Sequence, residues 1–306
     1  MLEYATDLPF DDACSASACK LTPGTTLSGR TINADGYWDD DFAAAPVRER
    51  RRIAVLGGLS TLGGDATTNF TAQLEALVPE VEVDHFGLPD AGPREHSAQL
   101  VRDVLRRKPG RILICLDATD DYAPRHLPKS PLECRSLQFV EAMFTPATAT
   151  ALDTPSPRTL TSTLDYDDYV RGRAATVLAS RKAPNSQLDA RRRDTQAAME
   201  RIVRICRKHD VPVTLVLVPG EFQLSSRLTA AFCRRVQCDP SELETELPQR
   251  RWSAFAEHLQ MPTIDLLPAL REKGEIVYVP NSTAWNNRGQ TIVAETIARD
   301  LKNRGI

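Results

Sequence analysis

The chain lacks any apolar run near the ~18 residues that a membrane-spanning helix needs, so no span is expected within it. It also lacks the basic and apolar regions of a signal peptide. Its start, Met1-Leu2-Glu3-Tyr4-Ala5-Thr6-Asp7, is acidic, which leaves a cytoplasmic protein or an exported one whose leader has been removed. Net charge is small, −3, which argues against a nucleic-acid partner. The basic clusters Arg48-Glu49-Arg50-Arg51-Arg52 and Arg191-Arg192-Arg193 are read as solvated faces or helix ends, because acidic residues balance them elsewhere. The seven cysteines include no CxxC pair, which removes the usual zinc and thioredoxin-like readings. Cys115 and Cys206 sit in apolar patterns and read as core residues. Cys14 with Cys19 and Cys233 with Cys238 share one spacing, and either free thiols or local disulfides suit them. Histidine is scarce, five in all, and none follows His258.

What is present is an ordinary globular composition, 42% hydrophobic and 26% charged over 306 residues, enough for one sizeable core or two modest ones. Residues 1–50 have no sustained period and are read as an irregular extension wrapped on the domain that fills 51–306. Ile53-Ala54-Val55-Leu56 is a short continuous apolar run ended by Gly57-Gly58, the pattern of a strand buried on both faces. Phe70, Leu74, Leu77 and Val78 then fall at helical spacing. The alternation continues with a strand at Val81 to Phe86, a helical stripe of Leu100, Val101, Val104 and Leu105, and a strand at Arg111 to Leu116. It resumes with Met199, Ile202, Val203 and Cys206 on a helix, strands at Val211 to Val218 and Thr263 to Leu267, and a closing helix with Val293, Ile297 and Leu301. Strand and helix alternating in this way predict right-handed βαβ units and a parallel sheet. The gap of about 122–187 is too long for a crossover loop and is read as a mostly helical insertion over the C-terminal edge of the sheet, with helices near Ser136 to Phe144 and Asp165 to Ser180.

Five segments in order resemble the SGNH (GDSL-type) hydrolase superfamily, closest to members with an N-terminal extension and a large middle insertion. Gly29 to Tyr37 resembles the lead-in before the first strand. Ile53 to Thr61 resembles the block written VLGDSxT, and Phe86-Gly87-Leu88-Pro89-Asp90 resembles FGxPG. Cys115 to Asp121 resembles the block that contains Asn-Asp. Pro280 to Gly289 resembles PxDxHWNxxG. The resemblance implies a three-layer α/β/α sandwich whose five-stranded parallel sheet has the flavodoxin-like order.

The chemistry of that family needs a Ser nucleophile, a His base and an Asp two positions before it, with a Gly N–H and an Asn side chain holding the oxyanion. Carried over by position, each is replaced. The nucleophile position is Leu59 and the oxyanion Gly is Asp90, or Gly92 if the loop shifts. The oxyanion Asn is Asp120, the Asp is Ser282 and the His is Ala284. Gly57, Thr61, Trp285, Asn286 and Gly289 remain as in the family. The resemblance therefore implies a protein without the family's catalytic residues, a non-catalytic binding or assembly module. Its crevice would take a small-molecule ligand, acylated or carbohydrate, through Asp90, Asp120 and Asp121. The alternative is an active esterase, lipase-like hydrolase or acetyltransferase that uses displaced residues, Ser60 as nucleophile with His96 as base, His85 and His126 being the other possible bases. Against this, Ser60 reads as a hydroxyl bonded to the backbone after the strand, and His96 as a surface or capping histidine. A third option is a structural domain whose crevice is filled by the insertion's own side chains.

No cofactor and no metal are expected. Asp90, Asp117, Asp120 and Asp121 have the chemistry of Ca²⁺ or Mg²⁺ ligands, but they come from only two loops, where aspartates commonly cap helices. Asp65 reads as such a cap. Trp38, Trp252 and Trp285 have faces that could stack on sugar, with Trp285 expected beneath the last loop. Tyr166, Asp167, Asp168 and Tyr169 read as an amphipathic helix start.

Overall fold

The computed structural model describes residues 20–27, 30–43, 50–62, 69–88, 91–119, 165–273 and 276–305. Two short strands, β1 (Thr26–Leu27) and β2 (Arg30–Thr31), pair antiparallel in the extension. The main sheet comprises β3 (Arg51–Leu56), β4 (Val81–His85), β5 (Arg111–Asp117), β6 (Val213–Val218) and β7 (Thr263–Asp265). All four pairings are parallel and the order is β4-β3-β5-β6-β7. This is the expected flavodoxin-like order. The central strands β3, β5 and β6 are nearly continuous apolar runs because helices cover both faces, whereas the edge strand β4 alternates as Val81-Glu82-Val83-Asp84-His85.

Helix α1 (Phe70–Leu77) begins at Asn69, whose side chain accepts from Thr71 N at 2.9 Å. The cap is thus Asn69, while Asp65 lies outside the described residues. Helix α2 (Pro93–Gln99) continues as helical turns to Arg107, starting earlier than its apolar stripe because Gly92 and Pro93 form its N-terminus. From Asp165, the returning part of the insertion forms α3 (Tyr166–Arg173) and a tight helical stretch over Ala174–Ser180, whereas Ser136 to Phe144 lies outside the described residues. Helix α4 (Ser186–Lys208) follows. Then come α5 (Ser226–Val236) and α6 (Leu247–His258), which the strand pattern did not announce, α7 (Leu267–Glu272) and α8 (Asn287–Asn303). The last strand is shorter than expected, since Leu267 opens α7.

Ala54, Leu56, Ile114 and Leu217 pack on one face of the sheet with Leu100 and Val104 beyond α2, Met199, Ile202 and Cys206 of α4, and Trp252 of α6. Ile53, Val55, Cys115 and Val216 pack on the other with Phe70, Leu74, Leu270, Val293, Ile297 and Leu301. A third apolar group joins Tyr169, Val170 and Val177 of the insertion to Phe222 and to Phe232 and Cys233 of α5.

The extension closes the β4 edge of the sheet. Edge strands leave N–H groups open to another chain. Here Asp39 of the extension accepts from His85 N at 2.7 Å, and Glu75 of α1 accepts from Val83 N at 2.6 Å. Tyr37 and Trp38 are fully buried, and the Tyr37 hydroxyl donates to Asp103 Oδ2 at 2.5 Å. Arg52 departs from the solvated reading of its cluster. It is buried, paired with Glu82 at 3.1 Å and Asp84 at 3.4 Å. Arg192 keeps to that reading in a surface pair with Asp189. No helix among the described residues is long and apolar enough to cross a membrane.

Candidate functional site

The loops after parallel strands share one edge, and the described parts of the first three motif blocks follow β3, β4 and β5, while the last block lies after α7 and runs into the start of α8. After β3 the chain turns through Gly57 and Gly58 into a single helical turn, Leu59–Leu62. A Cβ at Gly57 would stand 2.3 Å from Thr61 Cγ2, so the turn needs glycine there. The Thr61 hydroxyl donates to Gly58 O at 2.7 Å. The backbone bond expected of Ser60 is therefore made by its neighbour. Ser60 itself is buried, and among the described residues no hydrogen bond joins it to a histidine. Leu59 is half-buried against the apolar core and presents only hydrocarbon.

The second block is tied to the first. Leu88 N donates to Gly57 O at 3.0 Å, and a Cβ at Gly87 would meet Thr61 Oγ1 at 2.5 Å. Asp90 lies outside the described residues. Gly92, the alternative oxyanion donor, has its N–H engaged by Glu95 Oε2 at 2.9 Å. An oxyanion would have to displace that carboxylate. His96 is neither on the surface nor a cap: it is buried, with Nδ1 3.2 Å from Gln99 Oε1, while Gln99 Nε2 donates to Phe86 O. His85 is buried too, its Nδ1 3.3 Å from Trp38 O, and burial lowers its pKa from 6.5 to about 4. His126 lies outside the described residues.

In the third block Asp117 Oδ1 accepts from Thr119 N and Oγ1, each at 3.0 Å, folding the chain back at the strand end. Asp120 and Asp121, like Asp90, lie outside the described residues, and of the four expected carboxylates Asp117 is the one described. Among the described residues no three His, Cys, Asp or Glu side chains group as metal ligands.

The last block is a tight loop closed on itself. Val279 N donates to Ala284 O at 2.9 Å and Ser282 N to Val279 O at 3.1 Å. Asn281 takes φ 53°, a left-handed conformation that Asn tolerates well. The Ser282 hydroxyl accepts from Ala284 N at 3.1 Å, and the Ala284 methyl is fully buried. Trp285 meets Phe70 edge-on at 5.7 Å. Asn286 caps α8 through Gly289 N at 3.0 Å, and a Cβ at Gly289 would lie 2.2 Å from Val277 O. Phe70 N donates to Gln290 Oε1 at 2.8 Å, which joins the start of α1 to the start of α8. Each family scaffold residue present here thus has a backbone or packing task. All three tryptophans are fully buried, and none offers a face to sugar.

Strand order and block placement agree with the resemblance. The architecture is the five-stranded parallel α/β sandwich that the resemblance implies. No family model and no curated protein matches the sequence. Among solved structures the chain is similar to a lipase/acylhydrolase from Enterococcus faecalis, at 15% identity over 83% of this chain and 96% of that one, with a TM-score of 0.47. It is similar to a GDSL-like lipase from Bacteroides thetaiotaomicron at 13% identity, covering 86% and 93%, with a TM-score of 0.44. An acetylxylan esterase from Geobacillus stearothermophilus matches at 14% identity over 83% and 95%, with a TM-score of 0.46.

Sequence reasoning missed a buried ionic cluster at this same edge. Glu221, directly after the Pro219-Gly220 stop of β6, is hydrogen-bonded by the Tyr169 hydroxyl and lies 3.4 Å from Arg173 Nε. Arg173 Nη2 is 3.9 Å from Asp117 Oδ2. Tyr278 of the last loop donates its hydroxyl to Pro219 O at 2.5 Å. Burial, with Glu221 nearby, pushes the Tyr169 and Tyr278 hydroxyls far above their ordinary range, so both stay protonated donors. Glu221 Oε2 is buried without a hydrogen bond among the described residues. The available signal was an acidic residue immediately after the most apolar strand. Its partners sit in the insertion, where nothing periodic points to them.

Proposed function

We propose that this chain is a non-catalytic relative of the SGNH hydrolases, a binding or assembly module rather than an esterase. The observation that carries the reading is the pair Leu59 and Ala284: hydrocarbon side chains occupy both the nucleophile and the base positions, and the last loop closes through the Ala284 backbone N–H and C=O. The Gly92 N–H held by Glu95 supports it further, because a carboxylate stands where a developing oxyanion would need a donor. Assembly is favoured by α3, which brings Tyr169 and Arg173 from the insertion onto the carboxylates at the ends of β5 and β6. Within this reading the insertion spans about 122–187 and the extension 1–50, and the crevice takes a neutral acylated or carbohydrate ligand with Asp90, Asp120 and Asp121 on its rim.

The test is turnover of short acyl esters by purified protein, alongside thermal shift with neutral and acetylated sugars. No turnover above a buffer blank is expected. A ligand that binds only the folded state raises stability by about 2.7 kcal/mol at a hundredfold excess over its dissociation constant, so binding would be easy to see. An ester-hydrolysis rate abolished by Ser60→Ala would overturn the reading in favour of a displaced nucleophile.

A further inference from the structure

Cys233 and Cys238 occupy the contact pair of a helix-ending motif. Gln237 adopts the left-handed conformation, φ 56° and ψ 44°, at the end of α5. Cys238 N then donates to Cys233 O at 3.0 Å, the bond that characterises a Schellman ending. That bond places the side chains three residues before and two residues after the helix boundary against each other, and here both are cysteines. Disulfides need Cα atoms within about 4.4–6.8 Å, a range that a direct backbone bond between the two residues brings within reach. Both thiols are free in the structure, Cys233 fully buried and Cys238 half-buried. Cys233 belongs to the apolar group that seats α3 on α5.

We propose that Cys233 and Cys238 form a reversible disulfide, a redox-sensitive staple across the C-terminus of α5 beneath the docked insertion. Burial and the neighbouring Cys238 thiol push the Cys233 thiol up to about 12, so the half-exposed Cys238 makes the first attack. Its thiolate attacks a small disulfide such as oxidised glutathione, forming a mixed disulfide and releasing one glutathione thiol. Cys233 then gives up its proton and displaces the second. Two protein thiols are oxidised, one glutathione disulfide is reduced to two thiols, and both protons pass to the released thiols.

Arg234 and Arg235 lie between the two cysteines, so trypsin separates them onto different peptides unless they are bonded. Full-length protein would be equilibrated with oxidised or reduced glutathione, alkylated, and digested without reductant. The expected result is a linked pair, Leu228 to Arg234 with Val236 to Arg250, present after oxidation and lost on reduction. The unfolding temperature should rise on oxidation in the wild type and stay fixed in Cys238→Ser. Independent alkylation of both cysteines after oxidation, or glutathione left on Cys238 alone, would overturn the proposal. So would an equal rise in Cys238→Ser, which would assign the effect to other cysteines.

Discussion

The two carboxylate-rich regions of the molecule are built on different plans. At the β4 edge, Asp39 receives a strand N–H and pairs with Arg30 at 2.8 Å, and Asp103 meets Lys20, Arg102, Arg106 and Tyr37. At the C-terminal edge, Glu221 and Asp117 share one guanidinium, from a helix supplied by the insertion, and one oxygen of Glu221 is left without a hydrogen bond. Redundant partners let the first region survive the loss of a single contact. In the second, the ion pairing of Glu221 depends on Arg173 among the described residues. The difference teaches that α3 meets the carboxylates at the sheet end through one guanidinium, beside its apolar seat on Phe222 and Phe232, whereas Asp103 at the β4 edge has several cations.

The largest expected effect breaks that dependence. Arg173→Met should destabilise by about 3–5 kcal/mol, because removing one partner of a buried pair leaves an uncompensated carboxylate. Urea unfolding measures it, and Glu221→Gln in the same background should recover part of the loss. By contrast Lys20→Met, which takes one of several partners from Asp103, should cost about 1 kcal/mol or less. Equal losses for the two variants would refute the contrast between the regions.

Next comes the backbone of the last block. Gly289→Ala forces a methyl group into Val277 O, a backbone atom with no rotamer to yield, and should cost about 3 kcal/mol. Gly172→Ala in α3 is the control, since a Cβ there meets nothing within 4 Å. It should stabilise by about 0.5–1 kcal/mol through the helix propensity of alanine. Chemical denaturation of the pair separates steric need from mere location in a helix.

The β4 edge makes a pH prediction with a definite sign. Burial raises Asp39 from 3.8 to about 7 despite Arg30, and lowers His85 from 6.5 to about 4. Stability from the Asp39 shift is present below its unfolded value and lost as pH rises through about 7. Stability from the His85 shift is present above its unfolded value and lost as pH falls through about 4. Between about 4 and 6.5 the unfolded chain holds a proton on His85 and the folded one holds a proton on Asp39, so their contributions cancel. Single variants should expose opposite slopes. In His85→Phe stability should fall with rising pH across this window, and in Asp39→Asn it should rise, each by up to about 3 kcal/mol. Parallel slopes in thermal unfolding from pH 4.5 to 6.5 would remove the assignment.

The sheet was legible because its central strands are short apolar runs stopped by Gly57 and Pro219-Gly220, and β4 alternates up to Gly87, signals that survive without any partner being known. The blocks were legible for a related reason: Gly57, Trp285, Asn286 and Gly289 answer local steric and capping demands. The ionic cluster was not, since Arg173 and Glu221 meet only after the insertion folds back, and periodicity carries no information about which charges will pair. His96 was misjudged as exposed because Gln99, one turn on, satisfies its ring nitrogen inside the fold. The stripe Leu228, Ala231 and Phe232 after Ser225 marks α5, yet nothing in it reveals that it packs on the insertion rather than on the sheet.

The smallest expected effect falls on two adjacent hydroxyls in the first block. Thr61 is fully buried, its hydroxyl bonds Gly58 O, its methyl lies against Gly57, and its carbonyl accepts from Asn69 Nδ2 at 3.1 Å. Thr61→Val keeps the shape and loses the hydroxyl's bond to Gly58 O, which still accepts from Thr61 N at 3.1 Å, and should cost about 1 kcal/mol. Ser60 has no hydrogen bond among the described residues, so Ser60→Ala removes nothing and should change stability by less than about 0.5 kcal/mol. This near-silence bears on function as well as folding. A serine poised as a displaced nucleophile would be held by a base, and its removal would alter a pH profile or an acylation rate with a reactive ester. If Ser60→Ala is silent in both unfolding and acylation while Thr61→Val unfolds more easily, the hydroxyl that matters in this turn is the one that shapes it.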